Sequence, residues 1–391
     1  MRTQKLPRVD LFGPCITRAW TIRAVEAGAL NLSQGFPEDE PPTDVIVAAC
    51  EAIRLGPNQY ADMRGAPALR RAVAAYYRTR GLDWVDADEH VSITCGSTEA
   101  MAASVLAVAG PGDEVVIAQP CYENYPPQAL IAGARVRYMN LVPPKWEITR
   151  ELLDGTFGPD TKVLILNTPN NPTGRVFTRN ELQLVAEYAC RFDVQVLVDE
   201  IYEHLVWDER EHVRLATLPG MAERTVTVSG ISKTYSATGW RVGWAVAPND
   251  MTLALRRVHD FLTATVPTPF QTAAVVALGE PPDYYRALVC SYEARRQLLA
   301  NFLAEAGLDF ETPEGAYYFF PSCEPLGFPD ANAFAEALLE KGKVAVVPYS
   351  AFYREAAVGG GKYRFRINFA KNETTLRQAG ERLVAFARSR G

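Results

Sequence analysis

Two short motifs, a lysine and an arginine bring together residue types that could serve different parts of one cofactor. In chain order they are Asn-Pro-Thr-Gly from Asn171, Asp-Glu-Ile-Tyr from Asp199 to Tyr202, Lys233, and Arg241 eight residues later. A lysine amine can condense with an aldehyde and then shuttle protons. An aspartate beside a pyridine nitrogen keeps it protonated, which makes the ring a better electron sink. An amide and a phenol can donate hydrogen bonds to an anionic ring oxygen. The set therefore predicts a pyridoxal phosphate site.

The phosphate of such a cofactor needs its own partners. A dianion is bound well by a guanidinium fork and by the positive end of a helix. Arg241 would supply the fork, and the turn of Gly96, Ser97 and Thr98 would supply the helix end. We therefore predict that these four residues bind the phosphate.

Each residue also has an ordinary explanation when it is taken alone. Most lysines are solvated surface charges, Asn-Pro-Thr-Gly is a turn signal, and a tyrosine such as Tyr202 often only packs. Position strengthens the prediction for Asp199, because it follows the apolar run 194–198, which is typical of a buried strand. Open α/β sheets place ligands at the carboxyl ends of their strands. The ordered set is thus more informative than any member.

The chain resembles the class I aminotransferases of fold type I, and among them the kynurenine, glutamine and methionine aminotransferase-like branch. The resemblance covers nearly the whole length. Besides the motifs above, it rests on residues 31–37 (Asn-Leu-Ser-Gln-Gly-Phe-Pro), 58–60 (Asn-Gln-Tyr), 229–243 and 365–369 (Phe-Arg-Ile-Asn-Phe). It implies an enzyme that moves an amino group from an L-amino acid to a 2-oxo acid.

The resemblance also implies a role for each cofactor residue. Lys233 matches the lysine that forms the aldimine and later shuttles the proton on the way to the pyridoxamine form. Asp199 matches the pyridine partner, Asn171 and Tyr202 match the 3-oxygen partners, and Arg241 matches the phosphate arginine.

Two tyrosines match further cofactor contacts. Tyr122 falls where the family stacks an aromatic ring on the cofactor, although this branch often has phenylalanine there. Offset stacking contributes roughly 0.5–1.5 kcal/mol beyond burial. Tyr60 matches a residue that reaches the phosphate from the neighbouring subunit. The resemblance therefore implies a homodimer.

On the substrate side, Arg366 matches the arginine that binds the α-carboxylate, a planar anion suited to bidentate contact. Gly35 and Asn171 are expected beside the same substrate. Arg364 lies two residues before Arg366, so strand alternation places both on one face. The Phe-Arg-Ile-Asn-Phe-Ala pattern favours Arg366.

One position departs from the family. Many relatives carry a phosphate-binding serine three residues before the lysine, and this chain has Gly230 there. A glycine would let the backbone approach the phosphate but removes one donor. Ser229 and Ser232 are the nearby hydroxyls, and we predict a cofactor contact from Ser232.

Composition limits the class of protein. The chain has 391 residues, a length that exceeds what one hydrophobic core usually serves. Hydrophobic residues make up 48% of it. A net charge of −6 argues against a general nucleic-acid-binding surface, because phosphate backbones are bound by clustered Lys and Arg. The amino-terminal residues 1–7 do not form the apolar stretch of a signal peptide, and no apolar run is long enough to span a membrane.

The seven cysteines are scattered, without CxxC pairing or metal spacing, so no metal site is predicted. Cys50, Cys95 and Cys190 have apolar neighbours and are expected to be reduced core residues. These features favour a cytoplasmic protein.

Short apolar runs alternate with amphipathic stretches, which predicts an α/β fold with a mainly parallel sheet covered by helices on both faces. Strands are predicted at 91–94, 114–118, 163–167, 194–199, 225–229 and 241–247. A long helix over 285–307 begins a change of pattern. We therefore predict a large cofactor domain over 42–284 and a small α+β domain from 1–41 and 285–391.

Two other functions stay open at this point. The same cofactor residues could support elimination or replacement at the β or γ carbon, cyclisation, or oxidation, because all share a carbanion at the α-carbon. An inactive ligand-sensing homologue is the second alternative. The amino donor is not fixed by the sequence, although Arg18 and Trp20 lie in a segment expected near the substrate.

Overall fold

The computed structural model describes residues 9–354 and 358–389. The amino-terminal residues 1–7, and with them part of the predicted 1–41 segment, lie outside this part of the chain. The described residues form twelve strands, which are β1 Leu30–Asn31, β2 Val91–Thr94, β3 Glu114–Gln119, β4 Arg135–Asn140, β5 Thr161–Asn167, β6 Gln195–Asp199, β7 Thr225–Gly230, β8 Gly243–Val246, β9 Tyr318–Phe319, β10 Val344–Ala345, β11 Val347–Pro348 and β12 Phe365–Asn368.

The α-helices of the described residues are α1 Ile16–Glu26, α2 Thr43–Leu55, α3 Pro67–Arg78, α4 Gly96–Val108, α5 Tyr125–Ala132, α6 Arg150–Thr156, α7 Arg179–Phe192, α8 Asn249–Leu262, α9 Thr268–Leu278, α10 Pro282–Glu305, α11 Ala331–Ala337 and α12 Glu373–Arg388. A π-helical segment, Leu338–Gly342, continues α11. The predicted long helix is α10, which starts three residues earlier than expected because proline is tolerated in a first helical turn. None of these helices is long and apolar enough to cross a membrane.

A seven-stranded sheet forms the centre, in the order β2-β8-β7-β6-β5-β3-β4. Strands β3 to β7 run parallel, and β8 is antiparallel to both of its neighbours. Side chains alternate between the two faces, as the pleat requires. On β5, Val163 and Ile165 pack with α4 and α5, whereas Leu164 and Leu166 pack with α7. The mainly parallel sheet with helices on both faces is thus confirmed.

Helix α1 and the carboxyl-terminal part of the described chain pack together in a separate hydrophobic cluster. Strand β1 pairs with β10, and β12 lies between β11 and β9. Trp20 and Ala24 of α1 are buried in this cluster with residues of α10, α11 and α12. This packing brings the segment before residue 41 against the carboxyl-terminal part, although the exact domain division stays a prediction.

A buried polar network joins residues that follow β6 to a serine of β7. Glu200, Glu203 and His212 offer ligand atoms within 4.8 Å of one another, and Arg214 lies against both carboxylates. Ser229 Oγ donates to Glu203 at 2.9 Å. Arg214 therefore balances two carboxylates that are removed from water.

The cysteine prediction was partly wrong. All seven cysteines are free, but Cys50 and Cys190 are exposed and Cys95 is half-buried. Cys50 lies on α2 and Cys190 on α7, where local apolar neighbours in sequence point to other faces of the helix. Sequence neighbourhood alone therefore does not determine burial in a helix.

Candidate active site

The ends of three adjacent parallel strands place the central residues of the site. Strand β5 ends at Asn167, β6 at Asp199 and β7 at Gly230, three residues before Lys233. Asn167 connects two of these ends: its side-chain amide donates to the Asp199 carbonyl at 2.8 Å, and its oxygen accepts from the Asn171 amide at 2.7 Å. The loops after these strands therefore open at one edge of the sheet.

A cavity of about 710 Å³ lies at this edge, a volume typical of small-molecule sites. It includes all but two of the residues predicted from the sequence. Those that line it are Gly35, Ser97, Thr98, Tyr122, Asn171, Asp199, Tyr202, Ser232, Lys233, Arg241 and Arg366. The other two, Gly96 and Tyr60, do not line it. Gly96 lies at the start of α4, and Tyr60 is 87% exposed.

Asp199 is buried at the end of β6. Burial raises its pKa to about 6, although hydrogen bonds from the Tyr125 hydroxyl and the Ile201 amide oppose the shift. The two donors lie 2.8 and 3.1 Å away. A positive group in the cavity would stabilise the ionised form of this carboxylate.

Lys233 donates from Nζ to the Gly35 carbonyl oxygen at 2.7 Å. Desolvation lowers its pKa to about 7, and the nearby positive charges of Arg366 and Arg241 add to this effect. Its amine is therefore available as a nucleophile and base near neutral pH.

Arg366, on β12, is almost fully buried without a carboxylate partner among the residues that the structure describes. Its terminal nitrogens donate to Asn171 Oδ1 at 2.8 Å and the Ser33 carbonyl at 2.7 Å. Its Nε has no partner within the described residues. Arg364, by contrast, pairs with Glu311 outside the cavity. An unbalanced buried guanidinium is suited to an anionic ligand.

The Arg241 end of the cavity combines a guanidinium, a helix start and an unpartnered hydroxyl. A Cβ on Gly96 would overlap the Arg241 guanidinium, so only glycine lets that side chain reach the first turn of α4. Ser232 Oγ is buried with no hydrogen-bond partner in the described chain. Charge, helix orientation and a free donor together fit a phosphate.

Gly230 has a structural explanation other than phosphate approach. A Cβ there would lie 2.8 Å from the Val242 carbonyl oxygen and 2.9 Å from Gly243 Cα. Gly230 and Gly243 are partners in the pairing of β7 with β8. The glycine therefore allows the two strands to approach each other.

Sequence reasoning missed several residues of the site. Tyr125 supports Asp199, and the Tyr318 hydroxyl lies 2.9 Å from the Tyr202 hydroxyl. The Tyr318 ring also covers the Arg366 guanidinium at 4.5 Å. Both tyrosines belong to segments without a recognised motif, so only the fold identifies them.

Comparison with known proteins identifies the family. The family model for class I and II aminotransferases matches residues 27–383. The chain belongs to this family. It is 39% identical to a probable N-succinyldiaminopimelate aminotransferase DapC of Mycobacterium tuberculosis, over 93% of this chain and 94% of the relative. It is 34% identical to a methionine aminotransferase of Escherichia coli, over 97% of both chains.

Solved structures agree with this result. The N-succinyldiaminopimelate aminotransferase structure from Mycobacterium tuberculosis superposes with a TM-score of 0.94 at 37% identity, covering 98% of this chain and 100% of that one. Fold type I and the aminotransferase family are thus confirmed. The aminotransferase depends on pyridoxal phosphate, as its family does, and the cavity's residues fit that group.

Proposed function

We propose that this aminotransferase moves the amino group of an L-amino acid to a 2-oxo acid with Lys233 as its covalent and proton-transferring residue. One observation carries the assignment: Lys233, with a pKa lowered to about 7, shares a cavity with buried Asp199 and with Arg366, whose charge is not balanced by a carboxylate in the described chain. A base, an electrostatic partner for a cationic ring and a carboxylate receptor are the three groups that this chemistry requires.

The cofactor would be held at both ends. When bound, pyridoxal phosphate supplies an aldehyde for covalent attachment and a ring that withdraws electrons from the substrate's α-carbon. Asp199 would hold the ring nitrogen, with Asn171 and Tyr202 at the 3-oxygen and Tyr122 against the face of the ring. Arg241, Ser97, Thr98 and Ser232 would bind the phosphate, with Gly96 giving Arg241 room.

On the substrate side, Arg366 would bind the α-carboxylate and Asn171 and Gly35 would lie beside it. The Gly35 carbonyl accepts from Lys233 in the present structure, so an incoming amine would compete for that contact. Once displaced, Lys233 Nζ can take the proton from the substrate's α-carbon, because its lowered pKa of about 7 leaves a large fraction of the amine neutral near neutral pH.

We also propose a homodimer in which Tyr60 reaches the neighbouring site. Exposed apolar side chains on the same protomer support this arrangement, among them Leu55 at the end of α2 and Phe261 near the end of α8, which is 94% exposed. Such residues are typical of a surface that another chain covers. The division into domains 42–284 and 1–41 with 285–391, and a cytoplasmic location, are part of the same proposal.

Borohydride trapping tests the proposal directly. Reduction of the cofactor-loaded enzyme followed by peptide mapping is expected to find the label on Lys233. Lys233→Ala is expected to lose both the label and turnover, whereas Lys162→Ala, at an exposed lysine of β5, keeps both. A label on any other lysine would refute the assignment.

A further inference from the structure

Two of the carboxylates that line the cavity have partners within the protein. Glu99 accepts hydrogen bonds from Thr263 and contacts His259 at 2.8 Å. Glu123 accepts from the Cys15 thiol at 2.8 Å and from the amides of Ile16 and Thr17 at 2.9 and 3.2 Å. These two carboxylates therefore already have their partners in the polypeptide.

Four cations line the cavity, and the proposed function gives three of them a ligand in the cofactor or the α-carboxylate; the fourth is Arg18. Arg18 lines it from the first turn of α1 and is exposed. Its guanidinium makes no ion pair or hydrogen bond within residues 9–354 and 358–389. Arg23, five residues later on the same helix, pairs with Glu336 outside the cavity. Arg18 is therefore a free positive charge where a ligand can reach it.

The backbone that carries Arg18 is fixed in place. Glu123 holds the residues just before it, and Trp20 and Ala24 anchor α1 in the carboxyl-terminal cluster. A guanidinium on a long side chain can still adjust its position above this fixed base. The arrangement suits recognition of a charged group whose distance from the reacting carbon varies.

We propose that Arg18 binds the anionic end of the substrate's side chain, so that the enzyme prefers amino acids and 2-oxo acids with a terminal carboxylate. This inference rests on the proposed function, in which Arg366 binds the α-carboxylate. Two arginines in one cavity then receive the two carboxylates of a dicarboxylic substrate, one buried and one at the exposed wall.

Matched donor pairs test the inference. L-glutamate and L-glutamine have nearly the same shape, so the ratio of their kcat/KM values measures the effect of the side-chain charge. The ratio for L-aspartate and L-asparagine measures the same effect for a shorter side chain. Arg18→Gln is expected to lower the ratio of the preferred pair about tenfold or more, since a hydrogen bond to a charged group is removed. Arg18→Lys should restore part of the preference. Arg23→Gln, with the same charge change on α1, should leave the ratio unchanged.

Binding without turnover provides an independent measurement. Calorimetry of the cofactor-loaded enzyme would compare glutarate with pentanoate, which lacks the second carboxylate. Arg18→Gln is expected to reduce the preference for glutarate by a similar factor. No charge preference in the wild type, or an equal loss for charged and neutral ligands, would overturn the inference. If borohydride trapping failed to label Lys233, the proposed function itself would fail instead.

Discussion

Lys233 owes its reactivity to the cavity around it. Desolvation and two neighbouring arginines lower its pKa from 10.5 to about 7, so its amine is mostly neutral at pH 8. Only the neutral amine attacks an aldehyde. Attachment of pyridoxal phosphate to the apoenzyme is expected to accelerate about tenfold per pH unit below pH 7 and to level off above it.

Stopped-flow absorbance across pH 5 to 10 would measure this break. Arg366→Gln removes one of the positive charges that lower the Lys233 pKa and should move the break to higher pH. Arg364→Gln removes a guanidinium that pairs with Glu311 outside the cavity, and should not move it. A wild-type rate that still rises up to pH 10 would contradict the account.

Tyr125 has a similar influence on Asp199. Its hydroxyl donates to the carboxylate and limits the rise in pKa that burial causes. Tyr125→Phe should therefore raise the pKa of Asp199 and move the acid limb of the kcat/KM profile upward by about one pH unit.

The matched control for Tyr125 is Tyr188→Phe on α7. This substitution also deletes a hydroxyl that donates to a carboxylate, that of Asp154, but neither residue lines the cavity. An acid limb that moved equally in both variants would show that Tyr125 has no specific effect on Asp199.

At the scale of elements, six of the seven strands of the central sheet were predicted, whereas β4 and the contacts between elements were not. The apolar run that ends in Asp199 predicts both β6 and the position of the Asp199 carboxylate, because the end of the run is also the end of the strand, where the site lies. Tyr125 lies 74 residues from Asp199 in sequence, and Glu123 lies more than 100 from the α1 residues that it binds. Neither contact leaves a local signal, since each depends on how separate elements pack.

Arg214 provides the positive charge beside two buried carboxylates, Glu200 and Glu203, which follow β6. Burial alone would raise the pKa of Glu203, but Arg214 and two histidines outweigh burial and hold it at about 2. Because the folded pKa is lowered, this stabilisation is present at neutral pH and is lost as pH falls toward 2. Arg214→Met should cost about 3–5 kcal/mol of unfolding free energy at neutral pH.

Urea unfolding of Arg214→Met at pH 5 and pH 8 would test this effect. Without its arginine, buried Glu203 favours the protonated form, so the deficit should be larger at pH 8. Arg179→Met breaks an exposed pair with Glu211 and should cost less than about 1 kcal/mol at either pH. An equal small loss in both variants would show that the buried pair is dispensable.

At the scale of the whole molecule, Tyr60 links the active site to assembly. If it acts across a dimer interface, Lys233→Ala and Tyr60→Ala subunits should complement each other, because one site of each hybrid combines an intact lysine with an intact tyrosine. Random mixing should restore about a quarter of wild-type turnover. Co-refolded mixtures would be assayed against each variant alone, with Tyr349→Ala replacing Tyr60→Ala as the control. Tyr60→Ala mixtures no more active than the sum of their parts would exclude a shared site.

The glycine pair between β7 and β8 has a consequence for engineering. Gly230 lies against Gly243, and a Cβ on Gly243 would lie 2.6 Å from the Ser97 amide nitrogen. A serine at position 230, where the family resemblance implies one, would push a methylene against the Val242 carbonyl oxygen and Gly243 instead of adding a phosphate ligand. Libraries that aim to tighten cofactor retention should therefore keep both glycines and Ser232 invariant, because the Ser232 hydroxyl has no competing contact in the described chain and stays available to the phosphate.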